Sequence, residues 1–265
     1  MPHQKNLYQK SVDTFKIATC TVTCDGYHDI SCTSQRMALL IEATHKLFNF
    51  SVSLFCLPGG YFFASNSTDC VTIQRNITNL ATNVGIDLLV GLDTDIKTPH
   101  PNDELVSRYQ LPSFSIFAST DGRSNKWRQR STTSTNQYLV LDDLCQEERL
   151  LCAYPRVEGL LCGEIFNERI HVALSVRNTK ILIDQAHIAS RFRVFVPMKR
   201  LAIKGISSLC SVHADVRGAI KHCYTPGPSG WQRNSSREID LELGKKPRLE
   251  IKIWNFDSSG QISQF

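Results

Sequence analysis

Residues 157–184, VEGLLCGEIFNERIHVALSVRNTKILID, decide the fold. An apolar run from Val157 to Cys162 reads as a strand. A helical pattern follows from about Asn167 to Val176, and Lys180 to Asp184 is a second buried strand. Strand, helix, strand in under thirty residues is the unit from which parallel sheets are built.

The same alternation extends to both sides. Upstream, Phe15 to Thr23 alternates like a strand, and Ser34 can cap a helix whose apolar positions run from Met37 to Phe48, ending near Asn49. Val52 to Leu57 is a continuous apolar run stopped by Pro58-Gly59-Gly60, residues 70 to 84 are helical, and Asp87 to Leu92 is another buried strand. Phe114 to Ala118 and Tyr138 to Leu141 suggest a hairpin about Asp121-Gly122. Downstream, Pro197 can start a helix through Lys204, Leu209 to His213 is a strand, and Arg248 to Trp254 closes the pattern. Buried strands alternating with helices define an α/β class. The long segment from Thr94 to Ser113, with three prolines, has the length of a functional or mobile loop.

Composition excludes several function classes. The 265 residues are 42% hydrophobic and 21% charged, with 30 basic against 25 acidic side chains, a net +5 too mild to imply nucleic acid. No stretch approaches the eighteen or so apolar residues of a membrane span, and MPHQKNLYQKSVDTF lacks the apolar core of a secretory signal. The Asn49, Asn66, Asn76 and Asn234 sequons are accordingly read as chance matches. The ten cysteines show no C-x-x-C pair, so no metal or other cofactor is expected. The thiols are read as reduced and mostly buried in a cytoplasmic protein.

One thiol stands apart. Cys162 ends a strand just before a helix, and Gly163 can adopt a backbone that lets the sulfur stand clear. A helix start lowers a thiol's pKa, which suits a nucleophile; a buried structural cysteine is the other reading. LFCLPGGYF at 54–62, GLLCGEIFN at 159–167 and the late PRLEIKIW strand at 247–254, in this order, resemble the carbon-nitrogen hydrolase, or nitrilase, superfamily from about Phe15 to Trp254.

That resemblance implies a four-layer α-β-β-α sandwich as a single domain over 15–254, between an N-terminal arm (1–14) and a C-terminal tail (255–265). It implies a homodimer or larger assembly, no cofactor, and a small-molecule amide, nitrile or carboxylate as partner, with no nucleic acid or membrane. It also implies a thiolate nucleophile, a glutamate base and an oxyanion-binding lysine. Cys162 matches the nucleophile. The glutamate would follow Pro58, where Gly59 stands, in a stretch continuing to Tyr61; the lysine would follow Trp127-Arg128, where Gln129 stands, with Lys126 and Arg130 near. Without base or oxyanion donor, amide hydrolysis loses on the order of 100-fold or more at each.

A substitute carboxylate is sought in Glu164, Glu147 and Glu148; His187 follows a strand where the resemblance implies a pocket wall, and Arg191 and Arg193, flanking Phe192, would favour an anionic ligand. Each has a structural alternative: a helix-start acid, a solvated run, a backbone-bonded histidine, surface cations. Two functions stay open: a thiol-dependent hydrolase or transferase at amide, nitrile or carbamoyl C–N bonds, and a catalytically degenerate homologue that binds small molecules or scaffolds.

Overall fold

Strand β1, Phe15–Thr23, holds the centre of the sheet in the computed structural model, which describes residues 14–23, 33–94, 113–129, 149–187, 194–213, 221–235, 241–244 and 247–263. Then come α1 (Thr33–Phe48), β2 (Leu54–Cys56), β3 (Phe62–Ala64), α2 (Ser67–Val84), β4 (Asp87–Thr94), β5 (Ser113–Ala118) and β6 (Ser124–Arg128). The second half holds β7 (Leu150–Cys152), β8 (Val157–Leu161), a 3-10 turn (Cys162–Phe166), α3 (Glu168–Val176), β9 (Ile181–Ala186), α4 (Phe195–Ile203) and β10 (Ser207–Val212). The last strands are β11 (His222–Thr225), β12 (Gln232–Ser235), β13 (Leu241–Leu243) and β14 (Arg248–Phe256).

All strands belong to one curled sheet, whose main path runs β6-β5-β4-β2-β1-β10-β9-β8-β7. β1, β2 and β4 are parallel in one half and β8, β9 and β10 in the other; a single register pair, Thr21 opposite Val212, joins the halves. β14 lies antiparallel along the whole of β1, from Phe15 opposite Phe256 to Thr23 opposite Arg248.

Alternating side chains sort the apolar residues into three cores. Along β4, Leu88, Val90 and Leu92 face α1 and α2, where Leu40, Leu47, Ile73 and Ile77 meet them. Leu89 faces the other way, into an inner core with Leu54, Val157, Ile181, Ile183 and Trp254 from both halves. On the far side Leu160, Leu182 and Val212 pack against α3 and α4 through Ile170, Leu174, Met198 and Leu201. Three cores separate four layers, α-β-β-α. Strands covered on both faces explain the continuous apolar runs.

The structure corrects several boundaries. The Asp121-Gly122 turn joins β5 to β6, with Ala118 opposite Ser124; residues 138–141 lie outside those described. Only Trp127 of β6 is buried, so the strand carries almost no apolar signal. Ser34 sits inside α1, not at its cap. α2 begins at Ser67 because Asn66 caps it, accepting from the Asp69 amide at 2.9 Å. β14 runs on to Phe256, and a turn over Asp257 to Gly260 returns Ile262 to bridge Phe256, so this part of the polar tail folds back. The seven described cysteines are all free thiols. Among the described residues no helix is long and apolar enough to cross a membrane.

Candidate active site

The parallel strands β2, β4, β8 and β9 end at one edge of the sandwich, and the site is assembled from the residues just beyond each strand end. β2 leads into Pro58-Gly59-Gly60, which crosses directly over β4. A Cβ on Gly91 would lie 2.2 Å from the Pro58 carbonyl oxygen and 2.4 Å from Gly59 Cα, so only glycine allows the crossing.

Arg36 of α1, fully buried, holds this turn from beneath: Nη1 donates to the carbonyls of Gly60 and Tyr61, at 3.1 and 2.5 Å. Tyr61 Oη donates back to the Arg36 carbonyl at 2.7 Å. Tyr61 therefore anchors α1 and does not line the cleft.

Cys162 follows the wholly buried β8 and is itself only half-buried. Its φ is +50°, a left-handed conformation that a side chain with Cβ rarely adopts, and this turns the thiol out of the strand line. Glu164 locks the elbow: its carboxylate accepts from the Leu161 amide at 2.9 Å and from both ends of Arg149, at 2.5 and 3.0 Å. Both side chains are buried, so Glu164 is committed to Arg149 and the backbone.

Burial pushes the Cys162 thiol up to about 12. The charges of Asp184 and Asp93 add to that, and the backbone N–H groups of His187 and Gly163 oppose it. Burial likewise holds the Asp184 carboxyl far above the usual carboxylate range, reinforced by Glu164.

His187 follows β9, with Nε2 3.0 Å from Asp93 Oδ1 at the end of β4 and 3.4 Å from Ser113 Oγ. Burial drives the two partners in opposite directions, Asp93 up to about 7, against the Ser113 hydrogen bond and the Arg36 charge, and His187 down to about 4. The glycine turn makes room for this pair. A Cβ on Gly59 would lie 2.8 Å from the Gln185 carbonyl oxygen, 2.9 Å from His187 Cε1 and 3.0 Å from Nδ1, and one on Gly60 would lie 2.5 Å from Asp93 Oδ2.

Beneath the site, Gln185 ties the two halves together. Ser115 Oγ donates to its Oε1 at 2.5 Å, and its Nε2 donates to the Leu57 carbonyl at 2.7 Å.

Gln129 reaches the same edge, since its backbone N–H donates to the Ser113 carbonyl at 2.8 Å. Trp127, two residues earlier in β6, points into the inner core, and Gln129 lies just beyond the end of that strand. Lys126 is on the opposite face, exposed, with its ammonium 5.3 Å from the Phe114 ring centre. It supplies no cation to the cleft. Glu147, Glu148, Arg130, Arg191 and Arg193 lie outside the described residues.

The structure thus gathers Cys162, His187 and Gly59 at one edge and adds Asp93, Asp184, Arg36 and Arg149, which sequence reasoning missed. Asp93 had a readable signal, a carboxylate closing the apolar run DLLVGLDT. Arg149 and Asp184 had none, because their partners are distant in sequence or shared only through packing. Among the described residues no three His, Cys, Asp or Glu side chains are grouped to hold a metal.

No family model matches the sequence, and no curated protein does. Solved structures match almost end to end. A cysteine-to-alanine mutant of the Nesterenkonia AN1 amidase from the nitrilase superfamily is 13% identical, with a TM-score of 0.63 over 93% of this chain and 92% of that one. A second structure of an amidase from Nesterenkonia sp. is 14% identical, with a TM-score of 0.63 over 93% and 91%. A third, a glutamate-to-glutamine mutant of the AN1 amidase, shows Michael addition of acrylamide at the active site cysteine. It is 15% identical, with a TM-score of 0.59 over 90% and 92%. The likeness spans 90% or more of each chain: the fold of this chain is that of these nitrilase-superfamily amidases.

Proposed function

We propose that this chain is a divergent thiol-dependent hydrolase or transferase acting at an amide, nitrile or carbamoyl C–N bond, with Cys162 as nucleophile. The observation that carries the reading is the +50° φ of Cys162 at a strand end. A left-handed backbone costs a residue with Cβ about 1–2 kcal/mol, and strain of this kind is retained where a side chain must be aimed. Here it sits at the first residue after a fully buried strand, on a residue that is itself only half-buried.

On an amide, Sγ forms a bond to the carbonyl carbon, the C=O π pair moves to oxygen, and the thiol proton passes to a base. Collapse of that intermediate breaks the C–N bond, and the amine leaves with the proton. Water then attacks the thioester carbon, the C–S bond breaks, and the thiol regains a proton as the acid departs. The Gly163 N–H beside the sulfur is the donor offered to the oxyanion, and Gln129 stands where the resemblance puts the lysine.

A second reading, a degenerate binding module, draws on the thiol held up to about 12 and on the glycine at 59. The two separate in one assay. Acrylamide and a panel of short aliphatic amides are incubated with wild type and Cys162→Ala, followed by intact mass and ammonia release. A Cys162 adduct and Cys162-dependent ammonia support the hydrolase. Amide binding without adduct or turnover, unchanged in Cys162→Ser, supports the binding module.

A further inference from the structure

We propose that Gln185 is a positioning residue for Cys162, locking the end of β9 that lies against the sulfur to the glycine turn on the other half of the sheet, an inference that rests on the reading of Cys162 as a nucleophile. Backbone pairing between β1 and β10 is slight, the single register pair of Thr21 and Val212. Side chains take over at the site edge. Cys56 ends β2 and Leu57 follows it, and the carbonyls of both accept from side chains of the other half. Ser211 Oγ of β10 donates to Cys56 at 2.8 Å, and Gln185 Nε2 of β9 donates to Leu57 at 2.7 Å. The next residues are Pro58, Gly59 and Gly60.

The Gln185 amide is committed at both ends. A carbonyl only accepts, so the nitrogen must face Leu57; the oxygen then faces Ser115 of β5, whose hydroxyl donates to it at 2.5 Å. Both side chains are fully buried. On the same face of β9, Ile181 and Ile183 belong to the inner core, so the two-residue period calls for an aliphatic side chain at 185. A buried amide costs desolvation that an aliphatic side chain does not. What it adds is direction, one fixed geometry among β9, β2 and β5.

That geometry reaches the sulfur through the residues just beyond Gln185. The Gln185 carbonyl oxygen lies 2.8 Å from where a Cβ on Gly59 would stand, and the His187 ring lies 2.9 Å from that point and 3.1 Å from the corresponding point on Gly60. The backbone N–H of His187 hydrogen-bonds the Cys162 sulfur. Residues 185–187 are therefore a wedge between the thiol and the glycine turn, and the bond from Nε2 to Leu57 sets where the wedge stands. An N–H on the sulfur favours the thiolate, so withdrawing it slows attack.

The test is the rate at which methyl methanethiosulfonate, a small thiol reagent, modifies each cysteine of the full chain at pH 7, read by peptide mass. Gln185→Met keeps the volume and loses both bonds. Cys162 should then react about tenfold or more slower than in wild type, with Cys152 and the buried Cys20, Cys56, Cys210 and Cys223 unchanged. Gln185→Glu, held neutral by burial, can still accept from Ser115 and donate to Leu57, and it should recover the wild-type Cys162 rate. A residue that only held the fold together would act in the opposite sense, since loosening exposes thiols. Cys162 at the wild-type rate in Gln185→Met, or speeded up together with the buried thiols, overturns the positioning role and leaves the nucleophile standing. Cys162 reacting no faster than Cys152 in wild type overturns both. If Gln185→Met does not fold, Ser115→Ala decides: it frees the amide to swing and should slow Cys162, and an unchanged rate overturns the proposal.

Discussion

Arg149 closes a two-pronged ion pair on Glu164, Nη1 to Oε2 at 2.5 Å and Nη2 to Oε1 at 3.0 Å, directly beneath the backbone that presents Cys162. Neither side chain has more than a trace of exposure. Removing one partner leaves a buried charge with no counter-charge, a loss of about 3–5 kcal/mol. Glu164→Ala is expected to destabilise by that amount in urea unfolding. Replacing both residues by Met should recover most of it.

Asp93 is held protonated by burial, and this costs stability once the pH is high enough to ionise it. Its folded pKa is about 7 against an ordinary 3.8. The cost is absent below about pH 4, where folded and unfolded chains both bind the proton, and it is complete above about 7. An amide cannot ionise, so Asp93→Asn gains on the order of 4 kcal/mol at pH 8 and nothing at pH 4. Thermal unfolding of both proteins across this range checks it, and a constant difference in Tm contradicts it.

Much of the fold is legible because burial on two faces writes a strand as an unbroken apolar run. β2, β4 and β8 show themselves this way, β1 shows itself by alternation, and the elbow at Cys162 follows from a strand meeting a glycine. β6 does not, since it carries SNKWR with only Trp127 buried and is specified by pairing to β5. At the site, Cys162 and His187 can be named from strand ends, and Gly59 stands where the resemblance leads one to expect a carboxylate. The groups that fill the space cannot. Asp93 meets His187 from a strand 94 residues away, and a sequence search near Cys162 looks instead at Glu164, which the fold commits to Arg149.

Gly91 tests the crossing of the glycine turn over β4. Its missing Cβ is replaced in space by the Pro58 carbonyl and Gly59 Cα, both backbone, which cannot rotate away. Gly91→Ala should cost at least about 2–3 kcal/mol and lower the Cys162 labelling rate through displacement of Pro58 to Gly60. Gly85→Ala is the control for loss of a glycine. Its Cβ would meet nothing within 4 Å, so it should show only the strain of a left-handed helix cap, with no change in labelling.

Glu158, buried in β8, carries a pH dependence opposite to that of Asp93. Burial opposes its charge, but Arg177, Thr179 and Arg156 outweigh burial and hold the carboxyl below its ordinary value. Its stabilisation is therefore complete above the unfolded value, near 4.5, and is lost as the pH falls through the lower folded one. Glu158→Gln should be destabilised at pH 7, with the gap to wild type closing below about pH 4. A gap that persists unchanged into acid would show that packing, not charge, is what the substitution removes.

Cys162 is held in a conformation that favours glycine, and nothing in β8 requires it: the strand is complete at Leu161. In ordinary backbone an alanine is more stable than a glycine by about 0.4–1 kcal/mol, because glycine loses more freedom on folding. At φ +50° the order reverses, since alanine keeps the Cβ that makes the left-handed region costly by about 1–2 kcal/mol. Cys162→Gly should therefore be more stable than Cys162→Ala by about 1 kcal/mol, with both unable to form an acrylamide adduct. If the thiol were only core packing, both substitutions would lose stability against wild type; if it is kept for its sulfur, Cys162→Gly should be at least as stable as wild type. Urea unfolding of the pair separates a residue kept for its sulfur from one kept for its volume.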